Sequence, residues 1–588
     1  MYITKERWQR MKKHLDTVQL TTPFEDNMSE IPYGRHPRPQ LMRDGYVSLN
    51  GDWSFTVTDG EDVKYSGSIK VPFPPESRLS GVSMEIGKRD VMTYTRSFDL
   101  DESQLRGVIL LHLDAVDQEF TASINSRAVG MGKGGYLPHA FDITEFLKQG
   151  ENVITVEARD PLDKTYPYGK QTDRRGGMWY TKVSGIWQSV WLEAVPAVYV
   201  EDLKITPDLS GVRFSIKGGE ADKHLSVNYE GGTIDVTFTG DEYYLSVPSP
   251  HLWTPDDPYL YYFTLKCGED VISSYFALRT FGVNEVNGIS YLALNGKPYF
   301  LHGLLDQGYY SDGIFLPATE DGYRSDILAM KSCGFNMLRK HIKTEPQVFY
   351  HYCDLYGMIV FQDMINSGPY SFLRDTALPT IGIKRGIKVH ASRERREEFI
   401  RTSVGIQEML YNNPSVCYYT IFNEGWGQFS PDECYRKLCG VDPTRVYDTT
   451  SGWFKAHETD VESDHVYFKP VRLKAARGRP MVLSEFGGYS CKIKGHSFNL
   501  SQNYGYRFFD SMDKLEDGLV CLYENEILPH IEKGLSAAVL TQVSDVEDET
   551  NGLLTYDRRV LKVDAKRMKD LAERLYTRFK ETVTKHEI

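Results

Sequence analysis

The chain has 588 residues, of which 41% are hydrophobic and 25% charged, a composition typical of a soluble protein with several domains. The formal net charge of −13 argues against a nucleic-acid partner, because phosphate binding needs a basic surface. No 18-residue apolar run is present, so we expect no membrane-spanning helix.

The N-terminus and the cysteines indicate the cellular location. Residues 1–19 are charged and lack an apolar core, so they are not expected to be a secretory signal. The eight cysteines lie far apart and form no Cys-x-x-Cys pair, which favours reduced, mostly buried thiols. We therefore expect a cytoplasmic protein. No zinc-type ligand cluster is visible, and no metal is predicted.

The first part of the chain is predicted to form two antiparallel β-sandwiches. Short alternating or apolar runs recur between turn signals over residues 1–196, which is typical of a sandwich. A second β segment follows Pro196 and ends near Gly282, and it has the length of one small sandwich. We place the domains at residues 1–196 and 197–282.

Residues 283–588 are predicted to form a (β/α)₈ barrel. Helical stretches over 325–332, 345–356 and 393–410 alternate with apolar runs that indicate buried parallel strands. The strand candidates lie at 336–338, 358–361, 416–422, 446–449, 465–468, 481–484 and 537–540. Strand–helix alternation over this length is typical of the barrel. The unusually long loop 370–389 is expected at its mouth.

Two of these apolar strands end in a glutamate that glycine follows. Glu424 lies in Asn423-Glu424-Gly425, and Glu485 lies in Ser484-Glu485-Phe486-Gly487. Catalytic groups of such barrels lie at the carboxyl ends of the strands, so the two carboxylates are expected at one mouth. A carboxylate pair is what glycoside hydrolysis requires, since one protonates the leaving oxygen and the other attacks the anomeric carbon.

The chain resembles glycoside hydrolase family 2, which includes β-galactosidases, β-glucuronidases and β-mannosidases. The resemblance covers nearly the whole chain and rests on strings whose order matches the family. They are Leu49-Asn50-Gly51-Asp52-Trp53, Val183-Ser184-Gly185-Ile186-Trp187, Leu252-Trp253-Thr254-Pro255, Arg279-Thr280-Phe281-Gly282 and Leu294-Asn295-Gly296-Lys297-Pro298. It implies a sugar-binding jelly roll, an immunoglobulin-like sandwich and a catalytic TIM barrel.

The resemblance also implies roles for single residues. Glu424 matches the acid/base of a retaining glycosidase, and Glu485 matches its nucleophile. Asn423 matches the residue that hydrogen-bonds the sugar 2-hydroxyl, and Tyr467 matches a tyrosine near the nucleophile, with barrel packing as the alternative. Arg339 and His341 match a basic region of the family, in which the cation would keep the nucleophile ionised. Three further residues are expected at the sugar or, equally, in structural roles: Asp306, Asp363 and Trp453.

The chain departs from the family in two places that bear on the sugar. Well-studied members have a tryptophan at the end of strand 8, where this chain has Leu540-Thr541-Gln542. The glucuronidases have an Asn-x-Lys-Gly motif shortly after that strand, and the corresponding stretch, 549–554, contains no lysine. This weakens the glucuronidase interpretation, although Lys492 or Lys494 could approach the sugar instead.

The sequence thus predicts a retaining exo-glycosidase that removes a terminal β-linked neutral sugar such as galactose and needs no cofactor. A β-glucuronidase, a β-mannosidase and an arabinosidase remain open alternatives. A non-catalytic carbohydrate-binding protein on the same fold is the alternative from another class. The expected partner is a carbohydrate substrate, with homo-oligomers possible by analogy with the family.

Overall fold

The computed structural model describes residues 16–102, 104–380, 391–474 and 478–587. The N-terminal residues 1–15 and residues 381–389 of the expected mouth loop lie outside this part of the chain. Among the described residues, no helix is long and apolar enough to cross a membrane.

The first domain, residues 16–196, is a sandwich of a six-stranded and a four-stranded sheet. Alternation drives its formation: along the strand Gly51–Asp59, Trp53, Phe55 and Val57 point into the core and the residues between them are more exposed. Its strands are Tyr46–Ser48, Gly51–Asp59, Asp62–Val71, Val91–Leu100, Val108–Leu113, Val116–Asp117, Glu119–Ile124, Arg127–Lys133, His139–Asp142, Gly150–Arg159, Gln171–Thr172, Tyr180–Thr181, Gly185–Ile186 and Val190–Val195, with short 3₁₀ helices at Glu25–Asn27 and Thr144–Phe146.

The second domain, which begins after Pro196, packs a three-stranded sheet on a four-stranded one. Its strands are Val200–Pro207, Gly211–Gly218, Lys223–Tyr229, Gly232–Phe238, Glu242–Ser246, Tyr261–Cys267 and Asp270–Phe276. A small antiparallel sheet then leads into the barrel through Phe281–Val286, Ile289–Leu294 and Lys297–Pro298. The expected boundary at Gly282 falls inside the first strand of this sheet.

The rest of the chain forms a nearly closed barrel of eight parallel strands, as predicted. Barrel strands 1 to 8 are Leu301–Asp306, Met337–Lys340, Ile359–Asp363, Val416–Asn423, Val446–Ser451, Glu462–Val466, Met481–Gly487 and Leu535–Thr541. They pair in the order 5-4-3-2-1-8-7-6, so the described ladders leave a gap between strands 5 and 6. The strand predicted at 465–468 begins three residues earlier, at Glu462, and ends at Val466.

Helices surround the barrel and cover its strands. They are Asp321–Ser332, Gln347–Tyr356, Leu378–Thr380, Arg393–Leu410, Pro431–Val441, Met512–Leu522, Leu528–Ile531 and Ala565–Glu587, with π-helical turns at Leu373–Ala377 and Tyr523–Ile527 and two extra strands at Tyr489–Cys491 and Arg507–Phe509. The helix predicted over 393–410 has those bounds, and Ser392 caps its N-terminus by accepting a hydrogen bond from the Arg395 backbone N–H. The helices predicted over 325–332 and 345–356 begin at Asp321 and Gln347 instead.

A buried arginine joins the first two domains. Arg43 Nε donates to Asp270 Oδ1 at 2.7 Å, and its Nη1 donates to Glu193 Oε1 at 2.8 Å. Its Nη2 donates to the backbone carbonyl of Val200. One guanidinium therefore compensates two buried carboxylates that belong to different sandwiches.

Replacing this arginine should destabilise the fold strongly. Arg43→Met leaves Asp270 buried without its cation and removes the closest cation of Glu193, which keeps Arg38 at 3.9 Å, so the free energy of unfolding should fall by about 3–5 kcal/mol. Urea denaturation followed by fluorescence measures the change. The control is Arg89→Met, which removes an exposed partner of Asp59 and should cost less than about 1 kcal/mol. Equal losses in the two variants would contradict the interpretation.

Candidate active site

The two glutamates lie together at the carboxyl ends of barrel strands 4 and 7. Glu485 belongs to strand 7, and Glu424 follows the last residue of strand 4. Glu424 has a positive φ of 51°, and its N–H donates to the Ser451 carbonyl at 3.0 Å, which turns its side chain toward strand 7. One carboxylate oxygen of each glutamate lies within 4.8 Å of the other. Both side chains are buried.

Arg339, at the end of barrel strand 2, holds this arrangement together. Its Nη1 donates to Glu485 Oε1 at 3.0 Å and to the Ser484 carbonyl, and its Nη2 donates to Asn423 Oδ1 at 2.9 Å. Its Nε donates to Asp363 Oδ1 at 2.9 Å. The guanidinium is fully buried, and it donates to acceptors on strands 3, 4, 6 and 7.

His465, the penultimate residue of barrel strand 6, bridges the two carboxylates. Its Nδ1 lies 2.9 Å from Glu424 Oε1 and 3.5 Å from Glu485 Oε2. Its Nε2 lies 3.3 Å from Arg339 Nη1, and because a guanidinium can only donate, Nε2 is the acceptor. Burial lowers the pKa of His465 to about 4, so the ring is neutral and its Nδ1–H donates to Glu424.

Tyr467 contacts the nucleophile candidate from just beyond strand 6. Its hydroxyl donates to Glu485 Oε2 at 2.5 Å and lies 3.0 Å from Thr541 Oγ1 at the end of strand 8. The ring stacks on Tyr506 at 3.9 Å between centroids. Tyr467 therefore both packs in the barrel and hydrogen-bonds the glutamate, so the two alternatives expected from the sequence are combined in one residue.

Asp363 binds Arg339 and is itself contacted by His341. Asp363 accepts from Arg339 through one oxygen and contacts His341 Nδ1 at 2.7 Å through the other. Burial alone would raise the pKa of Asp363, but Arg339 and His341 outweigh it and lower that pKa below its usual range. Burial lowers the pKa of His341 to about 3, so this ring is neutral. The geometry favours the structural alternative for Asp363.

Asp306 belongs to a neighbouring cluster of buried charges. Its Oδ2 lies 2.8 Å from Lys340 Nζ, and its Oδ1 accepts from the Gly308 backbone N–H. Lys340 and Lys343 both contact Glu345 at 2.7 Å. The carboxylate of Asp306 is thus engaged on both oxygens, which again favours the structural role.

Trp453 lines a cavity of about 490 Å³ beside the glutamates. The half-buried indole packs edge-on against His465 at 6.2 Å between centroids. Tyr467, Phe468 and Pro379 line the same cavity. Pro379 places the described part of the loop predicted over 370–389 at this mouth. The position of Trp453 suits a stacking face for a sugar outside the innermost subsite.

The first domain contributes one wall of the mouth. Trp179 stacks on Trp426, two residues beyond Glu424, at 5.4 Å, and Tyr370 packs against both rings. The ammonium of Lys170 lies 5.0 Å from the centroid of Trp426. Lys492 and Lys494 do not take this place: Lys492 donates to the Gln502 carbonyl, and Lys494 is exposed.

The two glutamates differ in their electrostatic surroundings. Burial raises the pKa of Glu424 to about 7, against the opposing charges of Lys170 and Arg339. Burial also raises the pKa of Glu485, and the nearby His465 and Arg339 oppose the rise. Near neutral pH Glu424 can carry a proton, while Glu485 receives two direct hydrogen bonds that favour its ionised form.

Sequence reasoning missed three residues of the site: His465, Trp426 and Lys170. His465 lies two residues before Tyr467, and Trp426 lies two residues after Glu424. Their positions near the ends of predicted barrel strands could have indicated them. Lys170 has no such signal, because it belongs to the first domain. One nitrogen or oxygen each of Glu424, His465 and Glu485 lies within 4.8 Å of the others, a spacing that metal ligands also show, but hydrogen bonds account for this contact.

Comparisons with known proteins bear on the family and the fold of the chain. The sugar-binding-domain model of glycosyl hydrolases family 2 matches residues 85–196, and a second model of glycosyl hydrolases family 2 matches residues 198–279. Both matches lie in the two domains that precede the barrel. The family assignment made from the sequence is confirmed.

Family 2 proteins resemble the chain over most of its length. A β-galactosidase from Priestia megaterium is 22% identical over 560 residues, which cover 82% of this chain and 51% of that protein. The chain thus spans about half the length of the curated relatives it matches. A Ruminococcus gnavus β-glucuronidase has the same fold with a TM-score of 0.72 at 17% identity, covering 93% of this chain and all (100%) of that one. A Dictyoglomus thermophilum β-D-glucuronidase has a TM-score of 0.71 at 18% identity, covering 92% of this chain and 98% of that one.

The raised pKa of Glu424 predicts a pH dependence. If Glu424 is the general acid, it acts only while protonated, so kcat/KM should fall as the pH rises through about 7. Rates for an aryl glycoside with a poor leaving group, measured between pH 5 and 9, test this. A dinitrophenyl glycoside, whose leaving group needs no proton, should lose most of the alkaline decline. The same decline for both substrates would contradict the assignment.

Proposed function

We propose that the protein is a retaining exo-glycosidase that removes a terminal β-linked sugar by double displacement. The observation that carries this proposal is the approach of the Glu424 and Glu485 carboxylates to within 4.8 Å. Retaining glycosidases hold their carboxyl groups about 5–5.5 Å apart, whereas inverting ones leave about 6.5–9.5 Å for a water molecule. The close pair favours a direct attack on the sugar.

In the first step, Glu485 forms a bond to the anomeric carbon as the bond to the leaving oxygen breaks. Glu424 transfers its proton to that oxygen. Arg339 and Tyr467, which both donate to Glu485, favour its ionised form and orient the carboxylate. His465 donates to Oε1 of Glu424, so the proton resides on the other oxygen, where it can reach the leaving group.

In the second step, water forms a bond to the anomeric carbon while the bond to Glu485 breaks. Glu424, now ionised, takes the proton from that water and regains its starting state. Asn423 is oriented to bind the sugar through these steps. Its Oδ1 accepts from Arg339, so the amide N–H groups, which donate to no described residue, are left for a sugar hydroxyl.

Removal of a single terminal sugar suits a mouth that aromatic residues wall on one side. Trp179, Tyr370 and Lys170 stand beside Glu424, and the first two pack directly against Trp426. A wall on this side favours a substrate that enters by its end over one that lies across the mouth. A neutral, galactose-like sugar is the expectation from the sequence, with glucuronides, mannosides and arabinosides as the alternatives.

We also retain the proposal of a cytoplasmic location. The eight cysteines are all free, and six of them are buried. Free buried thiols suit a reducing compartment.

Separate mutations of the two glutamates test the mechanism. Glu485→Ala should abolish turnover of every glycoside, because no glycosyl-enzyme can form without the nucleophile. Glu424→Ala should slow poor leaving groups by about 10²–10⁴-fold and dinitrophenyl glycosides much less in the first step. Its glycosyl-enzyme should persist until azide, which needs no base, releases a glycosyl azide of unchanged anomeric configuration. Steady-state kinetics and product analysis give both results.

The control is Glu532→Ala, which removes an exposed glutamate that pairs with Arg578 on the barrel surface. It should keep the wild-type rates. Swapped phenotypes of the two site variants would overturn the roles. Wild-type binding of sugars without any turnover would instead favour the non-catalytic carbohydrate-binding protein.

A further inference from the structure

Lys170 is brought to the barrel mouth by a tightly held loop of the first domain. The loop joins the strands Gly150–Arg159 and Gln171–Thr172. Tyr168 donates from its backbone N–H to the Asn366 carbonyl at 3.0 Å and from its hydroxyl to the Gly368 carbonyl at 2.8 Å. Gly169 has a positive φ of 71°, and a Cβ there would lie 2.9 Å from the Ile342 carbonyl oxygen. The loop is therefore fixed against the barrel.

The ammonium of Lys170 is buried without a direct partner. The residue is 6% exposed, and its Nζ lies over the rings of Trp426 and Tyr180. Its backbone carbonyl accepts from the Tyr180 N–H, but its Nζ forms no hydrogen bond and no ion pair within 4 Å with any residue in the described ranges. Its three N–H donors are thus unused by the protein. Burial lowers the pKa of Lys170, which expresses the cost of this placement.

Lys170 lies close to the two glutamates, because its Nζ stands over the ring of Trp426, two residues beyond Glu424. The carboxylates that act on it most strongly are those of Glu549, Glu485 and Glu424, in that order. Two of these are the residues that would carry out the reaction. The other cation at the mouth, Arg339, directs its donors at Asp363, Glu485, Asn423 and Ser484. Lys170 is therefore the cation of the described site whose donors remain for a ligand.

Glu549 does not hydrogen-bond the ammonium of Lys170. Its Oε2 accepts a short hydrogen bond from the Tyr180 hydroxyl, and its Oε1 accepts from Asn551 Nδ2 at 3.0 Å. Both oxygens are engaged, and no ion pair within 4 Å joins this carboxylate to Lys170 among the described residues. It lowers the cost of burying the ammonium through its field but leaves the N–H groups free.

We propose that Lys170 binds a carboxylate on the terminal sugar, so that the preferred substrate is a β-linked hexuronide. This rests on the proposed glycosidase and replaces its neutral sugar with an acidic one. A hydroxymethyl group could accept one hydrogen bond from the ammonium. A carboxylate accepts charge-assisted bonds and also compensates the buried charge, so it gains more from this position.

The substrate test compares sugars that differ only at C6. The wild type is assayed with 4-nitrophenyl β-D-glucuronide and β-D-galacturonide and with the matching glucoside and galactoside. The better uronide should exceed its neutral counterpart in kcat/KM by at least about 10²-fold, because a site built for a polar group rejects analogues that lack it. A neutral glycoside that is hydrolysed as well as its uronide would overturn the proposal.

Variants of Lys170 test whether this residue makes the selection. Lys170→Met should lower kcat/KM for the uronide by at least about 10²-fold, mainly through a higher KM, and change the neutral glycoside by less than about threefold. Lys170→Arg should recover part of the uronide activity. Lys164→Met, an exposed cation of the same loop that lies over Tyr168, should leave both activities unchanged. Equal losses on uronide and neutral substrate would mean a structural role.

Binding of free sugars tests the role of Lys170 independently of the proposed glycosidase activity. Calorimetry with free D-glucuronate and D-galacturonate, against D-glucose and D-galactose, needs no turnover. The wild type should bind at least one uronate more tightly than its neutral sugar, and Lys170→Met should lose that difference. If no glycoside is hydrolysed but this difference is found, the glycosidase proposal fails and the carboxylate site stands. If binding does not depend on the carboxylate, the Lys170 proposal fails.

Discussion

The buried guanidinium of Arg339 is the interaction on which the site depends. It hydrogen-bonds residues at the ends of barrel strands 3, 4 and 7 from its own place on strand 2. A buried cation needs acceptors for all its donors, so any displacement of one strand end would leave a charge unpaired. Arg339 thus fixes Glu485 and Asn423, and the turn at Glu424, together with its hydrogen bond from His465, completes the spacing of the two glutamates.

The same network gives the glutamates different properties. Glu485 receives hydrogen bonds from Arg339 and Tyr467, and both favour its charge. Glu424 receives one from a neutral histidine, and burial brings its pKa to about 7. A pair of carboxyl groups whose surroundings separate their roles is the arrangement that acid and nucleophile need. His465 takes part by being neutral, since a charged ring would lower the pKa of Glu424.

The barrel and its two glutamates could be predicted from the sequence because both leave local signals. A buried parallel strand is a continuous apolar run, and Glu424 and Glu485 end such runs. The roles of Asp306 and Asp363 could not be predicted, because they depend on whether Lys340, Arg339 and His341 already occupy the carboxylates. Lys170 could not be predicted either, since only the packing of the first domain on the barrel brings it to the site.

The central claim is that Glu485 forms a covalent bond to the sugar. In a 2-deoxy-2-fluoro glycosyl fluoride, the fluorine at C2 slows the second step more than the first step, in which the anomeric fluoride leaves. The intermediate therefore accumulates. Incubation of the wild type with this reagent, digestion and mass spectrometry locate the modified residue. The account predicts one fluoro-sugar per chain, attached to Glu485. Attachment to another carboxylate, or no adduct while the product appears with inverted configuration, would contradict it.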